Sequence, residues 1–172
     1  LSTDARRDDL TWYLQTSPGV FTHHAELPAG YQLRDGDCAV LAPAGAKNDT
    51  DGTAFGTQPM YIPYIPGDET CAAAALFHYE RAIPCEGAAR HNSPLFVVNS
   101  DGEPLRESVA DRILDALTLR MLGRAIADTL SFHSCRTELA CALKSLNKDD
   151  PTIQALLRWR TEESIKIYAH IN

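Results

Sequence analysis

His133 and Arg136, three apart in "FHSCRTELA", are a pair that could hold a phosphate. On a helix that spacing puts both side chains on one face. At a helix start, a phosphate would meet a guanidinium fork, an imidazole able to move a proton near neutral pH, and backbone N–H groups at the helix end. Tyr168, in "SIKIYAHIN", offers a phenol that could attack such a phosphate. A phenol with pKa about 10 is scarcely ionised at pH 7, so the attack needs a proton route and a charge clamp. Lys47, in "AGAKNDTDG", is useful chemically where a leaving group stands near enough to take its proton; otherwise it is a solvated charge that discourages edge pairing. Taken singly, each residue also has an ordinary role. Arg6 and Arg7 in "ARRDDL" read as exposed helix charges paired with Asp9 or nearby acids, Trp159 and Tyr168 as packing aromatics, and His23 and His24 as loop histidines with no third ligand close in sequence.

The chain that must position these groups has 172 residues and 18.9 kDa, the size of one domain, with 44% hydrophobic residues for a core. It opens at Leu1 without a methionine, on what reads as an interrupted helix, so a piece of a longer protein is expected. No apolar run of about 18 residues and no basic-then-apolar start suggests a membrane span or signal peptide. Five cysteines without a C-x-x-C pair suggest neither a zinc framework nor a full disulfide set, and fit a reducing compartment. The formal charge of -7 argues against a bulk electrostatic binder of nucleic acid, but it is unevenly spread. Residues 1–105 hold 6 of the 16 Lys and Arg against 14 of the 23 acids, whereas residues 106–172 hold 10 against 9.

Along the chain, residues 1–14 read as the end of a helix stopped by "TSPG". "CAVLAPA" (38–44) and "PMYIPYI" (59–65) flank a polar run and predict a β-hairpin turning at Asp51-Gly52, with Lys47 on its first arm. Pro59, Pro63 and Pro66 confine the second strand to an edge. An acidic start and alanine-rich body predict a helix over 68–83, and "PLFVV" (94–98) a buried strand or extended segment. Val109, Ile113, Leu117 and Met121 step by four and predict an amphipathic helix over 105–123; Leu139, Leu143 and Leu146 predict another after His133. Asp150 is placed to cap a helix with Pro151 first inside it, and Thr161 to cap the last one. The fold class expected is α+β, mostly helical, with a small antiparallel sheet near the front.

The order and spacing of the set, rather than any member, resemble the catalytic domain of the tyrosine recombinase (phage integrase) family over nearly the whole chain. That family's first box, a helix bearing an arginine followed three residues later by an acid and then an aliphatic residue, is matched by Arg6, Asp9 and Leu10. Asp9 replaces the more usual glutamate, and Asp4 stands where a glycine is common. Lys47 matches the hairpin lysine, His133 and Arg136 the H-x-x-R box, Trp159 the later His-or-Trp position, and Tyr168 the nucleophile. Twenty-three residues separate Arg136 from Trp159 and nine separate Trp159 from Tyr168, close to the family habit. Residues 66–130 supply no matching motif.

The resemblance implies an integrase-like, DNA breaking-rejoining fold over residues 1–172 and strand cleavage through a 3′-phosphotyrosyl intermediate, in site-specific recombination or integration of a mobile element. It implies that Arg6 and Arg136 clamp the phosphate, His133 moves a proton, Lys47 protonates the leaving oxygen, Trp159 donates to the phosphate or packs the pocket, and Asp9 orients the cationic groups. It implies no cofactor and no metal, double-stranded DNA as partner, a tetramer on DNA for the full-length protein with a monomer for this piece, no membrane, and an intracellular, DNA-containing compartment. An N-terminal DNA-clamping domain before Leu1 would then supply charge that this piece lacks. Two alternatives stay open: a type IB topoisomerase-like relaxation activity, and a non-catalytic DNA-binding remnant of a mobile element.

Overall fold

The computed structural model describes residues 5–42, 59–159 and Ile165, which fall into two compact units meeting in sequence between Pro104 and Leu105. It is a mixed α+β structure with about 44% helix and one four-stranded antiparallel sheet.

The first unit corrects the helix expected over residues 1–14. Only a short 3-10 turn, Arg7–Asp9, precedes strand β1, Leu10–Ser17. The physical reason is the period: Leu10, Trp12 and Leu14 are fully buried while Tyr13 is exposed, an alternation by two that a helix cannot sort onto one side. Of "TSPG", Thr16 and Ser17 end β1 and Pro18-Gly19 form the turn into β2, Val20–His24, with Gly19 at φ +76. Strands β3 (Cys38–Leu41) and β4 (Met60–Pro63) pair antiparallel, Leu41 opposite Met60 and Cys38 opposite Pro63, as the hairpin reading requires. The order β2-β1-β3-β4 leaves β4 at the edge, where Pro63 is tolerated, with Pro59 and Pro66 just outside the strand. Asp51-Gly52 lies outside the described residues.

Helix α1, Ala72–Ala82, packs on the inner face of this sheet, and Trp12 meets Phe77 edge-on with ring centroids 6.2 Å apart. Burial of Leu10, Trp12 and Leu14 contributes roughly 1.5–3 kcal/mol per side chain. Asp68 and Glu69 fall just before α1 rather than in its first turn, and the Asp68 carboxylate accepts from the backbone and hydroxyl of Thr70 at 2.8 and 2.7 Å. Residues 94–98 form no strand of the sheet: Pro94 and Val97 make isolated bridges to Arg6 and Pro104 with bends between them, the Leu95 N–H donates to Ala5 O at 2.9 Å, and Leu95 is buried.

Two polar knots hold this unit. Buried Asp37 accepts from the backbone N–H groups of Gln15 and Arg34, both at 2.7 Å, and from the Tyr31 hydroxyl, whose pKa burial and then Asp37 push up. The other is ionic. Glu80 of α1 receives Arg7 at 3.0 Å and Arg90, from helix α2 (Ala89–Asn92), at 3.1 Å, all three buried. Arg90 also donates to the carbonyls of Arg7, Leu10 and Cys85, and the Arg7 guanidinium lies 4.4 Å from the Tyr79 ring centroid.

Gly36 lies at φ +88 in the turn before β3, and a Cβ there would stand 2.8 Å from Cζ of Phe21. Gly36→Ala is therefore expected to destabilise the chain by about 1–3 kcal/mol through backbone strain and displacement of the ring. Thermal denaturation checks this, and an unchanged midpoint would contradict it.

The second unit holds helices α3 (Glu107–Leu122), α4 (Arg124–Ala127), α5 (Phe132–Ser145) and α6 (Asp150–Leu157). The predicted long helix is present as α3, stopped by Gly123 at φ +82. Its apolar stripe, however, is not core: Ile113, Leu117 and Met121 are exposed, and Ala110 is the buried residue. Asp149, not Asp150, occupies the cap position of α6, so Pro151 stands second in the helix, still within the first turn, where a missing N–H is harmless. A small core joins Ala140 of α5, Ile153 and Leu157 of α6, Trp159 and Ile165.

Candidate functional site

Helix α5 opens on a reciprocal cap. The Ser131 hydroxyl accepts from the Ser134 N–H at 3.3 Å, and the Ser134 hydroxyl accepts from the Ser131 N–H at 3.0 Å, so serine plays the part a glutamate has in the usual capping box. His133 follows as the second helical residue and Arg136 as the fifth, both exposed, the arrangement at a helix start that the sequence predicts.

Arg136 also has a partner that the sequence hides. Its Nη2 donates to the carbonyl of Leu157, the last residue of α6. A helix end leaves such carbonyls without intrahelical donors, and a guanidinium satisfies one while complementing the negative end of the helix dipole. That bond engages one of the five N–H donors of the side chain. Lys144 of α5 pairs with Asp150 at the other end of α6, so the two helices are tied at both ends.

Immediately after Leu157 the chain turns through Arg158 at φ +51, and the Trp159 N–H closes on Gln154 O at 3.0 Å. The Trp159 side chain is only 8% exposed, packed in the cluster with Leu157 and Ile165. The junction of α5 and α6 thus joins Arg136 and Trp159, which stand twenty-three residues apart in sequence.

Arg6 and Asp9 belong to the first unit, where their setting differs from the expected helix. Arg6 is extended (φ -107, ψ 164) and exposed, just ahead of the 3-10 turn. Its backbone N–H donates to Asp9 Oδ2 at 2.7 Å, and the Asp9 N–H returns to Arg6 O at 3.2 Å. Asp9 therefore shapes the Arg6 backbone. Partial burial pushes the Asp9 carboxyl above its usual range, with the bond from Arg6 pulling the other way. Alongside, His91 Nδ1 lies 2.8 Å from Asp8 Oδ2 on the surface.

Arg7, expected to be exposed beside Arg6, is instead buried against Glu80. Sequence reasoning missed this pairing, since 73 residues separate the partners and neither local pattern marks them. Lys47 and Tyr168 lie outside the described residues. Among the described residues, no three His, Cys, Asp or Glu side chains gather as a metal ion would require, and no helix is long and apolar enough to cross a membrane.

No protein-family model, curated protein or solved structure matches this chain.

Proposed function

We propose that this chain cleaves and rejoins DNA through a covalent 3′-phosphotyrosyl intermediate, in the manner of a tyrosine recombinase acting on a mobile element. The observation that carries the reading is the α5–α6 junction: a capped helix start presents His133 and Arg136, and Arg136 is anchored beside the segment that bears Trp159. Ile165, three residues before Tyr168 in sequence, belongs to the same core.

The chemistry follows from the residue types. A phosphodiester repels an anionic nucleophile, and attack moves further charge onto its non-bridging oxygens, so a fixed guanidinium is better suited than a mobile ammonium to hold them. Arg136 fills that role, and the family resemblance assigns the second cation to Arg6. The Tyr168 oxygen attacks phosphorus while its proton passes to His133, the bond from phosphorus to the 5′ oxygen breaks, and Lys47 protonates the departing oxygen. One phosphate ester replaces another, so a 5′ hydroxyl can reverse the step on the same or a different strand without ATP. Trp159 keeps the α6 end packed and thereby fixes the carbonyl on which Arg136 rests.

One observation favours a second reading, a DNA-binding relative that no longer cleaves. Arg6 stands on extended backbone ahead of a strand, not on the helix that the family's first box requires. Incubation with a library of nicked duplexes of random sequence separates the two. Cleavage next to a nick lets the short 3′ fragment diffuse away and leaves a denaturant-resistant protein–DNA adduct; a remnant binds without forming one.

A further inference from the structure

An antiparallel sheet packed on one face ordinarily shows polar side chains on the other. Here the face opposite α1 carries aromatics. Tyr13 pairs directly with His23 across β1 and β2, their rings 5.3 Å apart, and Tyr61 on β4 lies 6.2 Å from Tyr13. Tyr61 is 60% exposed and Tyr13 36%, and Phe21 on the same face is exposed as well. The row therefore offers ring faces to solvent rather than filling a core.

The charge of this part of the chain as a whole selects what those rings would meet. Between residues 2 and 104 the chain has 6 Lys and Arg against 14 Asp and Glu; Arg7 and Arg90 of the six are buried, as are Asp37 and Glu80 of the fourteen. Such an excess of acid over base favours cationic partners. Tyrosine faces bind guanidinium and ammonium groups through their quadrupole, and arginine stacks on them best. We propose that the outer face of the sheet docks an arginine-rich polypeptide segment, whose guanidinium groups lie over Tyr13 and Tyr61. The proposal does not rest on the DNA-cleavage reading: that reading draws Arg6 and Lys47 from this part of the chain but uses neither Tyr13 nor Tyr61.

The test titrates the whole chain, at low and at physiological salt, with a labelled peptide of alternating arginine and glycine, following fluorescence anisotropy. The peptide is expected to bind, the doubly substituted Tyr13→Ser, Tyr61→Ser chain to bind about tenfold more weakly, and Tyr13→Phe, Tyr61→Phe to stay within about twofold of the parent, because phenylalanine keeps the ring face. Circular dichroism confirms that both variants fold, as expected for exposed positions. Equal binding by the serine variant would reduce the effect to bulk charge and overturn the proposal, as would no binding by the parent. Tighter, ring-dependent binding of a thymidine oligonucleotide would instead make the face a base-stacking platform, which also overturns it.

Discussion

Replacing Glu80 by alanine is expected to lower the stability of the first unit by about 3–5 kcal/mol, the usual cost of leaving buried charge without its partner. The expectation is at the upper end because one carboxylate serves two buried guanidinium groups. Arg7 and Arg90 reach Glu80 at 3.0 and 3.1 Å, and the Nε atoms of both arginines already lack a hydrogen-bond partner. Without Glu80, Arg90 keeps the carbonyls of Arg7, Leu10 and Cys85, and Arg7 keeps the Tyr79 ring, but two positive charges remain together in a site with little water. Glu80→Gln should cost less, since its amide oxygen still accepts from one guanidinium. The two tryptophans separate the units for measurement: Trp12 lies in the first core and Trp159 in the second. In a Trp159→Phe background, urea denaturation followed by Trp12 emission should show the loss; a change under about 1 kcal/mol would mean that the cluster is open to water.

Arg136→Ala is expected to reduce covalent trapping of DNA by at least about 10²–10³-fold, the scale on which one preorganised donor to a developing oxyanion matters. The same substitution removes the bond to Leu157 O, so a modest loss of stability, about 1 kcal/mol, should accompany it. Arg136→Lys separates the two effects. Lysine keeps a charge but not the fork that can hold a helix carbonyl and a phosphate oxygen at once, so its trapping should stay far below the parent while the helices remain folded. Unchanged trapping in Arg136→Ala, with the fold intact by circular dichroism, would remove Arg136 from the clamp.

Which parts of this molecule could be read in advance depends on how local their causes are. The β3–β4 pairing was legible because the apolar alternation of each strand and the prolines around the second act within a few residues. The start of α5 was legible from the H-x-x-R spacing and the leucines that follow it, whereas its Ser131 cap went unread. β1 was misread because "ARRDDL" looks like a helix edge, and the alternation of Leu10, Trp12 and Leu14 competes with it only from the third turn onward. Packing decided for the strand, where Trp12 reaches Phe77 of α1. The stripe Ile113, Leu117 and Met121 gave the helix but not its burial, because period fixes which residues share a face and not whether anything covers that face. The ionic cluster and the Arg136–Leu157 bond join residues distant in sequence, and no spacing rule announces them.

For the candidate site, this leaves an uneven picture with a physical reason. The residues near the α5–α6 junction have the local setting that the motif expects, whereas Arg6 does not, since the helix that should present it is a 3-10 turn and a strand. Arg6 stands instead on extended backbone held by Asp9.

The central claim is that Tyr168 is a nucleophile toward DNA, and intact-protein mass spectrometry after reaction with the nicked-duplex library tests it most directly. The parent chain should gain the mass of a DNA strand joined through its 3′ phosphate, mapped by proteolysis to the peptide containing Tyr168, and Tyr168→Phe should gain nothing. An adduct formed equally by Tyr168→Phe, or mapped to another residue, would contradict the account.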